Sequence, residues 1–137
     1  MTLSFRHLTS TKQLSRKETD AISEKAGEME ALMKKGPTDL LKGKILASLF
    51  YEPSTRTRLS FETAMQRLGG EVVTAEGFQF SSLYKGETIE DTIIVAGQYV
   101  DIICMRHPEQ GSADKAAAVS PVPFINAGDG QIGRAHV

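Results

Sequence analysis

Apolar side chains recur along this chain in two rhythms. After a short N-terminal stretch, Ile22, Ala26, Met29 and Met33 fall at helical spacing with charged residues between them. Ser15 and Glu18 stand in the capping-box relation and predict the start of that helix. Gly36-Pro37 predicts its end, because proline cannot continue a helix. The run Lys44-Ile45-Leu46-Ala47-Ser48-Leu49-Phe50 is apolar almost throughout and reads as a buried strand. A loop from Tyr51 to Thr55 leads into a second amphipathic helix, with Phe61, Met65 and Leu68 on one face and Gly69-Gly70 as its stop.

The same alternation continues. Residues 71–74 predict a second strand, and 75–87 a long polar loop of a kind that is often functional. Ile89, Ile93, Ala96 and Val100 mark a third helix, and residues 101–105 a third strand. Ser112 is placed to cap a short helix running to Val119, and 122–126 read as a fourth strand weakened by Pro123. Apolar strands separated by helices predict an α/β fold, an open parallel sheet of about four strands with helices on both faces. Ligands of such sheets bind beyond the carboxyl ends of the strands. Here those ends are 51–57, 75–87, Arg106-His107-Pro108 and 127–130.

Composition narrows this picture without redrawing it. The 137 residues suit one domain rather than two. Sixteen basic side chains against 17 acidic ones leave a formal charge of -1, which argues against a nucleic-acid-coating or membrane-surface protein. No apolar stretch approaches the ~18 residues of a membrane span, and the N-terminus lacks a signal-peptide core. A cytoplasmic location is expected. Cys104, the single cysteine, sits in an apolar run and reads as a buried thiol, and no Cys/His spacing suggests a metal site.

The densest chemistry is Ser54-Thr55-Arg56-Thr57-Arg58, after a strand and at the opening of a helix. A helix N-terminus offers unpaired N–H groups and the positive end of the macrodipole, and hydroxyls and guanidinium groups added there form an anion cradle suited to phosphate. The plainer alternative is that Ser54 or Thr55 caps the helix while the arginines are solvated. Arg58, one turn further on, is the weakest member. Arg106 at a strand's carboxyl end could converge on the same anion or sit in a surface turn; His107 reads as structural. Lys85, in the long loop after Ser81-Ser82, could close over an anion or be an ordinary exposed charge. Gly128-Asp129-Gly130 reads as a permissive turn.

Taken together these segments resemble the aspartate carbamoyltransferases of the transcarbamylase family. The resemblance is carried by Phe50 to Arg58, Phe61-Glu62, Arg67 to Gly70, Ser81, Lys85 to Thr88, Asp91-Thr92, Met105 to Pro108 and Ile125 to Gly130, with His7 to Ser10 at the start. It implies transfer of the carbamoyl group from carbamoyl phosphate to L-aspartate, in pyrimidine biosynthesis, without metal or organic cofactor. It implies that Ser54, Thr55, Arg56, Thr57 and Arg106 bind carbamoyl phosphate, with Arg56, Thr57 and Arg106 catalytic. It implies a homotrimer, with or without regulatory chains. In it Ser81 and Lys85 enter a neighbouring subunit's site, Lys85 also close to aspartate. An ornithine-type transcarbamylase and a non-catalytic phosphate-binding or assembly module are the alternatives.

By the same resemblance, residues 1–130 form the carbamoyl-phosphate-binding domain, and the family's aspartate-binding domain is absent. Residues 131–137 are expected to be a tail foreign to the family. Ile132 to Val137 admit codons that spell a widely used sequencing adapter. Little or no catalysis by the chain alone is expected, as is an apolar face left exposed.

Overall fold

The computed structural model describes residues 2–77 and 86–130. The expectations attached to Ser81, Lys85 and the 131–137 tail therefore lie outside the described residues. Helix α1 (Arg16–Lys34) is followed by β1 (Ile45–Phe50), α2 (Thr55–Arg67), β2 (Glu71–Glu76), α3 (Ile89–Ala96), β3 (Ile102–His107), α4 (Ser112–Val119) and β4 (Phe124–Asp129). The strands form one sheet in the order β2-β1-β3-β4, every pair parallel.

Alternation along the central strands divides the core in two. Leu46, Phe50 and Cys104 pack with Met65 of α2 on one face. Ala47, Leu49, Ile103 and Met105 pack with Ile89 and Ile93 of α3 and Ala113 and Ala116 of α4 on the other. Phe50 and Phe124 are fully buried, and such side chains each contribute roughly 1.5–3 kcal/mol on leaving water. The chain leaves β1 for β2 on one side and reaches β3 on the other, so the strand order reverses between β1 and β3. A crevice at the carboxyl ends of those two strands is the site this topology creates.

The two sheet edges are treated differently. Beyond β4, Leu8 pairs with Ile125. It donates its N–H to the Phe124 carbonyl at 2.8 Å and accepts from the Asn126 N–H at 2.8 Å. This covers an edge that would otherwise offer unpaired groups. At the β2 edge the strand is half-exposed, with Val73 52% accessible, and does not have two covered faces. Ile94, Val95 and Tyr99 are exposed as well, and Val73, Ala75, Ala96 and Tyr99 line a groove between β2 and α3.

Several local expectations shift. Ser15 receives the Glu18 N–H as a cap should, but the Glu18 carboxylate is shared with Ser4. A complete capping box forms instead at Ser10 and Gln13, around a 3-10 turn (Thr11–Gln13) that periodicity did not reveal. Helix α3 stops at Ala96, with Gly97 still in helical geometry at its cap and too close to the Pro121 ring to carry a Cβ; Val100 is buried beyond the helix. Ser112 does not cap α4. Gly111, at φ +87°, holds the cap position, and its N–H is taken by the Asp129 carboxylate at 3.0 Å. Tertiary contact thus replaces the local cap, and the Ser112 hydroxyl is buried without a hydrogen-bond partner among the described residues. Strands β2 and β3 run on through Glu76 and His107. Strand β4 begins after Pro123 and takes in Gly128-Asp129, which is a strand end rather than a free turn.

Candidate active site

Helix α2 begins where β1 ends, at the point of strand reversal. Ser54 holds its N-cap position, yet the Ser54 side chain makes no capping hydrogen bond. The first intrahelical bond runs from the Arg58 N–H to the Ser54 carbonyl at 3.0 Å, so the N–H groups of Thr55, Arg56 and Thr57 have no partner within the helix. The first turns of α1, α3 and α4 each offset the positive helix end with an acidic residue; that of α2 carries none. Thr55 and Arg56 are exposed, Ser54 and Thr57 half-exposed. Ser54 thus does not cap the helix through its side chain, and Arg56 is open to solvent.

Arg106 lies inside the end of β3, not in a turn after it. Phe50 and Arg106 are register partners, and the Tyr51 N–H donates to the Arg106 carbonyl at 2.9 Å. The Arg106 side chain is held on two sides. Its Nε donates to Glu52 Oε1 at 3.1 Å, and its Nη1 to the Ala127 carbonyl at 3.3 Å. Gly128 makes room for it: a Cβ there would lie 2.7 Å from Nη1, and φ is +129°. The fold therefore brings Ser54, Thr55, Arg56, Thr57 and Arg106 to the carboxyl ends of adjacent central strands.

Arg58 is not part of the cradle. Its Nε donates to Glu62 Oε2 at 2.8 Å and its Nη1 to Glu76 Oε2 at 2.6 Å. Both carboxylates hold the guanidinium in its charged form, Glu62 more strongly. His107 is structural, as expected. Its Nδ1 accepts the Glu109 N–H at 3.0 Å and its ring lies 4.8 Å from that of Tyr51. Burial, the largest influence, holds its pKa below the ordinary imidazole value. Burial likewise raises the Tyr51 hydroxyl above its usual range and pushes the Cys104 thiol up to about 12, so Cys104 is no nucleophile at neutral pH.

Three residues escaped sequence reasoning. Glu52, buried beside Arg106, stood in what read as a loop. Gly128 looked like an uncommitted turn glycine. Glu62 carried no assigned task, although Ser48 and Thr74 both donate to it. All three stand in the segments that carry the family resemblance, but their pairings follow from the strand order. Among the described residues, no group of three or more His, Cys, Asp or Glu side chains could hold a metal ion, and no helix is long and apolar enough to cross a membrane.

Comparison with known proteins gives this geometry a context. The family described as aspartate/ornithine carbamoyltransferase, carbamoyl-P binding domain, matches residues 6–134. The aspartate carbamoyltransferase catalytic subunit of Methanocaldococcus jannaschii is 56% identical over 127 residues, which are 92% of this chain and 42% of that protein. The chloroplastic aspartate carbamoyltransferase of Arabidopsis thaliana is 58% identical over 121 residues, 87% of this chain and 31% of the relative. Among solved structures, Trypanosoma cruzi aspartate transcarbamoylase in complex with carbamoyl phosphate and aspartate superimposes with a TM-score of 0.84 at 41% identity, covering 91% of this chain and 39% of that one. The chain thus spans less than half the length of these relatives.

Proposed function

This chain belongs to the aspartate/ornithine carbamoyltransferase family, as its carbamoyl-phosphate-binding domain, and on that premise we propose that it supplies the carbamoyl-phosphate half of an aspartate carbamoyltransferase site. The observation that carries the reading is the α2 N-terminus. It has an uncommitted Ser54 hydroxyl, no acidic residue in its first turn, and lies at the strand reversal beside Arg106. Those features suit a phosphate dianion with a carbonyl group attached.

In the proposed reaction the L-aspartate amine attacks the carbonyl carbon of carbamoyl phosphate. A C–N bond forms, the C–O bond to phosphate breaks, and phosphate departs with the bonding electrons and one proton from the amine. The products are N-carbamoyl-L-aspartate and phosphate. Ser54, Thr55, Arg56 and Thr57 hold the phosphoryl oxygens. Arg56, Thr57 and Arg106 stabilise charge growing on the carbonyl oxygen and the leaving group. Fixing both reactants in place lowers the barrier further.

The proposed assembly is a homotrimer in the cytoplasm, with Ser81 and Lys85 serving a neighbouring subunit's site. The open β2 edge and the apolar groove between β2 and α3 support packing of a further subunit on that side. The names of the relatives support the aspartate enzyme over the ornithine one.

Calorimetry with carbamoyl phosphate, followed by an assay for carbamoyl-aspartate, tests the reading. Binding of carbamoyl phosphate is expected, and the assay reads whether carbamoyl-aspartate forms. Arg56→Ala should abolish that binding. Retained affinity in Arg56→Ala overturns the cradle.

A further inference from the structure

The face of the sheet beneath α2 contains a polar cluster that the cradle does not explain. Ser48 and Thr74 are register partners on β1 and β2, and alternation puts Ser48 on the same face as Leu46 and Phe50, which pack against Met65. Over them lies Glu62, with a side chain only 13% exposed. A single oxygen, Oε2, accepts from Ser48 Oγ at 3.0 Å, Thr74 Oγ1 at 3.2 Å and Arg58 Nε at 2.8 Å. Arg58 Nη1 then reaches Glu76 at the end of β2. One carboxylate ties together the helix, the central strand and the edge strand.

An apolar helix–sheet contact would be cheaper to build, because burying a carboxylate costs free energy that its partners must return. What apolar contact lacks is direction. Burial of Phe61 and Met65 rewards any sliding of the helix that keeps them covered, whereas three hydrogen bonds on one atom tolerate little displacement. Glu62 also lies less than three turns from Thr55, so any shift or rotation of α2 over Ser48 moves the cradle.

We infer that Glu62 is a positioning residue for the anion cradle: through Ser48, Thr74 and Arg58 it fixes where α2 sits on the sheet, and so where the N–H groups and hydroxyls of residues 54–57 point. This rests on the proposed phosphate-binding role of those residues. Glu62 acts through the helix and touches no ligand.

The test titrates the chain with inorganic phosphate and with carbamoyl phosphate, following affinity by calorimetry and the amide signals of residues 54–57 by NMR. Arg56→Ala reports on the cradle; Glu62→Gln reports on the positioning. Glu62→Gln should weaken both ligands about tenfold, the order of loss when one hydrogen bond to a charged ligand is misaligned. It should also displace the 54–57 amide signals before ligand is added, with the protein still folded at the assay temperature. Ser48→Ala and Thr74→Val each delete one donor; they should show the same changes at about twofold to threefold, and they carry the comparison if Glu62→Gln fails to fold. Unchanged affinities and unchanged amide signals in the folded variants overturn the inference. If the unsubstituted chain binds neither probe, or Arg56→Ala binds as tightly as it does, the cradle reading fails. The ligand-free amide signals of 54–57 then still decide whether Glu62 positions the helix.

Discussion

Arg106 and Glu52 form an ion pair across the carboxyl ends of β3 and β1, Nε to Oε1 at 3.1 Å, with side chains 23% and 10% exposed. The pair keeps a guanidinium at the strand reversal from folding back onto the sheet or extending into solvent. It works together with the Ala127 carbonyl and with the space left by Gly128. A cation held at two points before ligand arrives loses little freedom on binding, which is how preorganisation gains affinity.

Gly128→Ala should therefore impair both fold and binding. The added methyl collides with the Arg106 guanidinium, and the backbone at φ +129° is strained for any residue with a Cβ. A stability loss of about 1–3 kcal/mol is expected, read from urea denaturation, with weaker carbamoyl phosphate binding. Unchanged affinity in the folded variant would show that the placement of Arg106 does not depend on this glycine.

Thr55→Asp separates stability from function. An acidic residue in the exposed first turn of α2 complements the helix dipole and should stabilise the fold by about 0.3–1 kcal/mol. The same charge occupies the anion site and should abolish phosphate binding. A higher Tm with lost binding is the expected pair of results, and retained binding would mean that the anion lies elsewhere.

Two histidines predict the response to acid. His7 and His107 each accept a backbone N–H at Nδ1, from Phe124 and Glu109 respectively. Burial, the largest influence on each, lowers both pKa values from 6.5. The unfolded chain therefore takes up these protons first, so stability present above about pH 6.5 is lost as the pH falls toward the folded-state values. Denaturation midpoints measured between pH 7.5 and 5.5 should decline, and His107→Gln should flatten the decline. A midpoint independent of pH across that range would contradict the lowered pKa of both rings.

Cys104 predicts the opposite trend at high pH. With the folded thiol at about 12 and an ordinary value of 9.0, the unfolded chain loses its proton first. Stability should fall as the pH rises from 9.0 toward 12. At pH 8 a thiol reagent should label Cys104 only after unfolding, and rapid labelling of the folded chain would count against its burial.

Much of this molecule was legible from short-range pattern. The helical spacing of Ile22 to Met33, the apolar run ending at Phe50 and the placement of Ser54 to Thr57 at a helix start all reflect neighbours within a turn or a pleat. The same reading failed wherever a distant group intervened. Gly111, its N–H taken by Asp129, holds the cap of α4 in place of Ser112, and Val100 lies beyond the end of α3. Arg58, already the weakest member of its pentapeptide by sequence, pairs with Glu62 and Glu76, one of them 18 positions away.

The sequence by itself determined which segments become strands and helices, that the sheet is parallel, and which loops carry hydroxyls and guanidinium groups. Those properties follow from periodicity, turn residues and the chemistry of single side chains. Only the tertiary structure decided how the groups are held. Arg106 meets Glu52 from 54 positions away and Ala127 from 21, and Glu62 meets Ser48 and Thr74 on two different strands. Such pairings depend on the strand order β2-β1-β3-β4, which no local pattern encodes, because it is set by how whole elements bury their apolar faces against one another.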